Sequence, residues 1–121
     1  MVAAMTDSSK MMAKTIYNAM DSKQALNIEI IDISEVSTVS DYFIICSGNN
    51  GPQLEAIIDN IEFEMNKAGF KGGRPEGQKT GGWFLIDYGE AIAHVFSVED
   101  RSFYNLERIW KDAKNVNISE L

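Results

Sequence analysis

Cysteine and histidine are nearly absent from this chain of 121 residues, which contains one of each. A single cysteine excludes an internal disulfide framework and is typical of a protein from a reducing compartment. One histidine and one cysteine are also too few to build the thiolate and imidazole clusters that bind zinc. We therefore expect no metal site, and we assign no cofactor.

Basic residues are scarce, and long apolar runs are missing. Eleven Lys and Arg residues oppose eighteen Asp and Glu residues, so the formal net charge is −7. Because cationic side chains supply most of the affinity for phosphate backbones, this balance argues against DNA binding and favours a basic protein partner. No apolar run reaches the roughly 18 residues that span a bilayer, and residues 1–9 lack the pattern of a secretory signal. We expect no membrane association and a cytoplasmic location.

The chain does contain helical periodicity in three segments, where apolar residues recur at three- and four-residue spacing. Side chains that can accept hydrogen bonds precede the first two segments and are candidate N-caps, and acidic residues begin the third. The predicted helices run from Ser8 or Ser9 to about Lys23, from Asn49 or Asn50 to just before Gly69, and from Glu99 to about Ala113.

Apolar runs rich in β-branched and aromatic residues predict strands between these helices. The strand before the second helix and the strand after it would form a βαβ crossover, which implies a parallel pair. The predicted fold class is α/β: a single domain, residues 1–121, with a mixed sheet of about five strands and flanking helices. Its core extends from about residue 10 to 113, and a frayed tail follows Ala113. The predicted strands cover residues 27–33, 41–46, 70–75 and both sides of a turn within residues 82–96.

Two chemically reactive side chains fall inside predicted strands, and a glycine-containing loop follows one of them. Cys46 ends an apolar run and is expected to be a buried thiol. His94 shares a strand face with Ile92 and Phe96, so we expect a packed, hydrogen-bonded histidine over a contact or catalytic one. The loop at residues 47–51 precedes a helix N-terminus, where anions can bind. It lacks the glycine spacing and the lysine of phosphate-binding loops, so an ordinary turn is expected.

A tight hairpin is predicted in residues 82–96, and its aromatic residues suit a contact surface. Trp and Tyr are favoured at interfaces because each supplies a large area at little cost in rotamer entropy. The residues alone leave two alternatives open, partner binding and packing into the core. Strand alternation places on one face Trp83, Leu85 and Asp87, and on the other Phe84, Ile86 and Tyr88.

Two carboxylates, those of Asp87 and Glu90, flank the hairpin turn. Such a pair can in principle hold a divalent cation or act as acid and base. Capping of the turn by Asp87 and simple solvation of Glu90 are the more common fates, and we expect them here. We therefore assign no catalytic residue to this hairpin.

An ordered set of short motifs extends over most of the chain, from about residue 10 to 113. The motifs are residues 41–48, Glu76-Gly77, Trp83, residues 87–89, residues 94–96, Arg101, residues 104–108 and Trp110. In these motifs and their spacing the sequence resembles the Iojap family, the bacterial ribosomal silencing factors. Glu90 stands where the family commonly has Asp, and the helix start at Asn50-Gly51-Pro52 is less typical of it.

The resemblance implies a fold similar to that of nucleotidyltransferases without their catalysis, so no enzymatic activity is expected. It implies a translational repressor that binds the large ribosomal subunit through its fourteenth ribosomal protein and blocks joining of the small subunit. It also implies that members form homodimers and that Trp83 and Tyr88 lie at the ribosomal contact. Leu85, Asp87 and Glu90 complete the candidate partner-binding site, with the two carboxylates near its rim.

Two other functions remain open from the sequence. One is an assembly factor for the large subunit, which would use the same surface. The other is a nucleotide-binding or nucleotidyl-transferring enzyme that has kept the fold. The best candidate residues for that enzyme are Asp41, Ser47, Gly48 and Asp87.

Overall fold

Two α-helices, six strands and a short 3-10 helix make up the part of the chain that the structure, a computed structural model, describes. That part comprises residues 2–35, 40–78, 82–98 and 114–121. The helix predicted from Glu99 to about Ala113 lies outside the described residues. In chain order the elements are α1 (Val2–Ser22), β1 (Leu26–Asp32), β2 (Tyr42–Gly48), α2 (Gly51–Lys67), β3 (Arg74–Gly77), β4 (Trp83–Asp87), β5 (Ala91–Ser97), β6 (Lys114–Val116) and the 3-10 helix (Ile118–Glu120).

The strands form one mixed sheet in the order β3-β4-β5-β2-β1-β6. β2 and β5 run parallel, and the other neighbouring pairs are antiparallel. The predicted α/β class with a mixed sheet is confirmed, with six strands where about five are predicted. The predicted parallel pairing across α2 is wrong, because β3 lies at an edge of the sheet and β4 and β5 separate it from β2.

Side-chain chemistry explains why β3 occupies an edge of the sheet and β5 a central position. All four residues of β3 are exposed, and they include Pro75, which has no N–H for a further strand. In β5, by contrast, every residue from Ala91 to Phe96 is buried, as expected of a strand covered on both faces. β5 therefore takes the central position beside β2, and β3 pairs with β4.

The N-termini of the two helices differ in how well the sequence predicts them. α1 begins at Val2, so the prediction that Ser8 or Ser9 caps it is wrong. Ser9 is instead a buried residue within the helix, and its hydroxyl bonds to carboxylates at the end of the sheet. For α2 the predicted N-cap is confirmed, because the side-chain oxygen of Asn50 accepts the backbone N–H of Gln53 at 2.8 Å.

Apolar residues collect on both faces of the sheet. The main core lies between the sheet and the two helices and contains the thiol of Cys46, which is buried as predicted. A smaller outer cluster lies on the opposite face. Because strand side chains alternate, neighbours such as Ile44 and Ile45 belong to different clusters. The outer cluster consists of Ile31, Ile33, Ile45 and Phe96, with Phe43 and Trp83 packed against it.

The last residues of the chain are ordered into the sheet. Lys114–Val116 pairs with β1, with Val116 opposite Ile30, so the expectation of a frayed tail after Ala113 is wrong for this segment. Asn117 and Glu120 then form a capping box around the 3-10 helix. The physical reason is packing, because Val116, Ile118 and Leu121 are partly buried against the main core.

Candidate partner-binding site on the β4–β5 hairpin

The hairpin between β4 and β5 closes through a turn held by its own residues. The backbone N–H of Tyr88 donates to the carbonyl of Ala91 at 3.0 Å. The carboxylate of Asp87 accepts the N–H of Gly89 at 2.8 Å, which confirms the predicted turn cap. Gly89 has a φ of 92°, a left-handed conformation that glycine adopts without a Cβ penalty.

Alternation along β4 decides which side chains meet the core. Phe84 and Ile86 are 5% and 1% exposed and lie in the main core, as predicted. Trp83, Leu85 and Asp87 are half-buried and share the opposite face. We call these three residues the contact strip. It spans four residue steps along β4, or about 13 Å at the usual rise of a strand.

The indole ring of Trp83 is held in place from two sides. Its Nε1–H donates to Nδ1 of His94 at 3.3 Å. Its ring stacks on Phe96, with centroids 5.6 Å apart and an interplanar angle of 9°. Trp83 lies directly opposite Phe96 in the sheet, so His94 is its diagonal neighbour on the same face. The ring is therefore both partly exposed and oriented.

His94 is a packed strand histidine, as predicted, with only 4% of its surface exposed. Burial lowers the pKa of its imidazole to about 4, so the ring is neutral at physiological pH. Because Nδ1 accepts a hydrogen bond from the indole N–H, the neutral ring carries its own proton on Nε2. Among the described residues no atom accepts a hydrogen bond from Nε2. The sequence predicts that His94 is packed and hydrogen-bonded, but it does not identify Trp83 as the donor. Only the register between β4 and β5 could have indicated that partner.

Tyr88 does not lie on the same face of the sheet as Trp83. It lies beyond the other end of β4 and packs against the main core, on the helix side of the sheet. Its ring covers Gly73 so closely that a Cβ there would lie 2.5 Å from Cε1 of Tyr88. Burial and then the nearby carboxylate of Glu62 raise the pKa of its phenol to about 12. The two aromatic residues assigned to one site from the sequence are therefore on opposite faces, about 17 Å apart along the strand.

Glu90 is tied to the first helix. Its Oε2 accepts a hydrogen bond from the hydroxyl of Ser9 at 2.6 Å, and Oδ2 of Asp41 lies 2.7 Å from the same hydroxyl. The carbonyl of Glu90 also accepts the N–H groups of Asp41 and Tyr42. The expectation that Glu90 is simply solvated is wrong, because the fold brings a buried hydroxyl to it.

The residues proposed for a nucleotide-handling enzyme are not brought together. Asp41 precedes β2, whereas Ser47 and Gly48 end it, so about 20 Å of strand separates them. Asp87 lies near the Asp41 end, because it pairs with Ile92, which in turn pairs with Phe43. One catalytic site therefore cannot include all four residues.

The loop after β2 uses its polar groups for the helix that follows. Gln53 donates its backbone N–H to Asn50, and its side-chain oxygen accepts the N–H of Asn49 at 2.6 Å. This arrangement is the ordinary turn that the sequence predicts. Across the described residues, no three His, Cys, Asp or Glu side chains are placed to hold a metal ion. In the same part of the chain, neither helix is both long and apolar enough to cross a membrane.

The fold and the hairpin define a class of protein, a mixed α/β domain that presents an oriented tryptophan on a sheet face. A family model described as "Ribosomal silencing factor during starvation" matches residues 6–121. The chain belongs to this ribosomal silencing factor family.

Individual relatives agree with this assignment. The chain is 38% identical over 104 residues to ribosomal silencing factor RsfS of Bacillus subtilis (strain 168), covering 86% of this chain and 88% of that protein. It is 24% identical over 106 residues to the chloroplastic protein Iojap of Zea mays, covering 88% of this chain and 46% of the maize protein. A crystal structure of a Bacillus halodurans protein superposes with a TM-score of 0.75 at 33% identity, covering 85% of this chain and 93% of that one. The resemblance to the Iojap and silencing-factor family is confirmed.

Proposed function

We propose that this protein represses translation by binding the large ribosomal subunit through its fourteenth ribosomal protein, so that the small subunit cannot join. Membership of the ribosomal silencing factor family supports a role at the ribosome. A ribosomal partner would also place the protein in the cytoplasm. Self-association into homodimers stays a prediction.

The observation that carries the proposal is the state of Trp83. Its ring is partly exposed, yet the hydrogen bond to His94 and the stack on Phe96 fix its orientation. An interface residue that is already oriented loses little conformational entropy on binding, which is the property of a hot-spot anchor. Leu85, next along the contact strip, extends the apolar surface beside it.

Charge at the far end of the contact strip fits a basic partner. Asp87 ends the strip and Glu90 follows in the turn, both half-buried. The chain as a whole has a formal net charge of −7. Opposite potentials accelerate association and set orientation more than they add affinity. We therefore assign the anchor role to Trp83 and Leu85 and the steering role to the two carboxylates.

Tyr88 has a smaller part in this proposal than the sequence suggests. It faces the helix side of the sheet, so a partner seated on the contact strip reaches it only by wrapping around the hairpin turn. The exposed edge strand β3 lies beside β4 and offers a route for such wrapping. Tyr88 would then contribute at the periphery of the contact.

The residues proposed for an enzyme do not lie together in one site, and this supports a binding protein over an enzyme. Asp41 and Ser47 lie at opposite ends of one strand, and the carboxylates of Asp41 and Glu90 share the hydroxyl of Ser9. Steric blocking needs no chemistry beyond binding, so a non-enzymatic repressor is the function that the geometry supports best.

The proposal can be tested by co-sedimentation of the protein with isolated large ribosomal subunits. Trp83→Ala should weaken binding by well over tenfold, since truncation of a hot-spot aromatic costs roughly 2 kcal/mol or more. Phe63→Ala is the matched control, because Phe63 is an aromatic residue that is 62% exposed on α2, away from the strip. Circular dichroism should show that both variants are folded.

Two results would contradict the proposal. One is a folded Trp83→Ala variant that co-sediments at wild-type strength. The other is wild-type protein that binds large subunits but leaves the joining of small subunits unchanged, which would favour an assembly factor. Calorimetry with nucleoside triphosphates and a divalent cation tests the enzyme alternative, for which the split candidate site predicts no heat of binding.

A further inference from the structure

His94 is the most unusual polar residue in the described part of the chain. Its imidazole is nearly inaccessible, yet Nε2 has no hydrogen-bond partner there. A buried donor without an acceptor is normally destabilising, so an apolar residue would pack at this position at lower cost. Stability of the outer cluster therefore does not explain a histidine here.

The other ring nitrogen supplies the explanation. Nδ1 accepts the indole N–H of Trp83 at 3.3 Å, from a diagonal position on the neighbouring strand. The imidazole is itself fixed by aromatic neighbours. Phe43 meets it edge-on with centroids 4.6 Å apart, and Phe96 lies parallel to it at 6.3 Å. A rigid acceptor is thus presented to a partly exposed indole.

We propose that His94 is the positioning residue of the contact strip: it holds the indole of Trp83 in the orientation that the partner recognises. This inference rests on the proposed function, because it assigns Trp83 as the anchor. It goes beyond that function by placing a determinant of affinity on a residue that is itself buried. A partner need not touch His94 for this effect.

The mechanism is preorganisation. Without the acceptor on His94, the indole can rotate about its side-chain bonds, and binding must then pay for fixing it. The low pKa of the imidazole supports the assignment, since the unprotonated Nδ1 of a neutral ring can accept a hydrogen bond whereas an imidazolium cannot. The positioning role is therefore maintained throughout the physiological range of pH.

Two substitutions separate positioning from packing. His94→Phe keeps an aromatic ring of similar size but offers no acceptor to Trp83. His94→Asn loses the ring but places an amide oxygen near the position of Nδ1. If His94 merely packs, binding should follow stability, so the Phe variant should bind well and the Asn variant poorly. If His94 positions the indole, the order of binding should be reversed.

The orientation can be observed directly in the free protein. The chain has two tryptophans, so its NMR spectrum contains two indole N–H signals, and the signal missing from Trp83→Phe belongs to Trp83. In His94→Phe this N–H should exchange with solvent about fivefold faster or more, as expected for the loss of one hydrogen bond. In His94→Asn the exchange should stay close to that of wild type.

Binding to isolated large ribosomal subunits completes the test. We expect His94→Phe to bind about fivefold more weakly at unchanged or higher stability, and His94→Asn to bind near wild-type strength. Equal binding by His94→Phe and wild type, with Trp83→Ala impaired, would overturn the inference and leave the proposed function intact. Wild-type binding by Trp83→Ala would overturn both. If His94→Phe does not fold, His94→Gln replaces it in the test. The side chain of Gln is longer than that of Asn, so it carries the amide beyond the position of Nδ1. Equal binding by the Gln and Asn variants would then overturn the inference.

Discussion

The hydroxyl group of Ser9, in the first helix, lies 2.6 Å from the carboxylate of Glu90, in the turn of the β4–β5 hairpin. The same hydroxyl lies 2.7 Å from the carboxylate of Asp41. One hydroxyl has one proton to donate, so two carboxylates share it. Ser9 thereby fastens the candidate binding hairpin to the helical layer.

Ser9→Ala should destabilise the fold by about 1–3 kcal/mol, because it leaves two carboxylates without this donor. Urea unfolding monitored by circular dichroism measures the loss. Ser8→Ala makes the same chemical change one residue earlier in α1, at a half-buried position, and should cost less than half as much. Equal stability of the two variants would contradict the prediction, because the hydroxyl of Ser9 would then contribute no more to the free energy of unfolding than the hydroxyl of Ser8.

Gly73→Ala should displace the ring of Tyr88. An added Cβ would lie 2.5 Å from Cε1 of Tyr88 and 2.9 Å from Cγ2 of Ile86, so both side chains or the backbone at Gly73 must shift, and the contact with Tyr88 is the tighter. Overpacking of this kind costs about 1–3 kcal/mol. The free energy of unfolding, measured singly and in a Tyr88→Ala background, tests the cause. The cost should shrink when Tyr88 is already truncated, and strict additivity would contradict this explanation.

Stability should fall as the pH is lowered from about 6.5 to 4. The pKa of His94 is about 4 in the folded protein and 6.5 in the unfolded chain, so the unfolded state binds more protons throughout this window. The full difference corresponds to roughly 3 kcal/mol, present above pH 6.5 and lost by pH 4. Carboxylates titrate in the same range, so wild type must be compared with His94→Phe. The two proteins should diverge in pH dependence, and parallel curves would refute the prediction.

Tyr88→Ala should mainly lower the stability of the protein, whereas Trp83→Ala should mainly weaken ribosome binding. Tyr88 is half-buried against the main core, so its truncation should cost about 2 kcal/mol of stability and weaken ribosome binding only modestly. Trp83→Ala should weaken binding by more than tenfold and cost less stability. Denaturation and co-sedimentation of the same two preparations decide the matter. A binding loss for Tyr88→Ala as large as that for Trp83→Ala, at saturating folded protein, would show that the contact extends around the hairpin.

The phenol of Tyr88 supplies an independent check on its burial. Its pKa of about 12 lies above the ordinary value of 10, first because of burial and then because of Glu62. The folded state therefore keeps the phenol proton up to a higher pH than the unfolded state does. The stability that this difference represents is lost as the pH rises from 10 through 12. Tyr88→Phe should remove that part of the alkaline loss, which urea unfolding at pH 9 and pH 11 would detect.

Several site features followed from the sequence because they depend on neighbours in the chain. Period-two alternation places Phe84 and Ile86 in the core, and the Asp87 cap of the turn depends on a residue two positions away. The N-cap at Asn50 involves a residue three positions away. Interactions of this range are set by residue type and spacing, so they can be predicted before the fold is known.

The sequence by itself thus determined the α/β class, the amphipathic helices, the hairpin and the identity of the family. The tertiary structure alone decided that β3 is an edge strand and that Ser9 meets Glu90 across a separation of 81 residues. The reason is physical. The alternation of side chains along a strand determines which of them share a face. Strand order and the contacts between elements that are distant in sequence depend on how the whole core packs. His94 illustrates the division, because its burial is local to its strand whereas its bond to Trp83 exists only through the register of two strands.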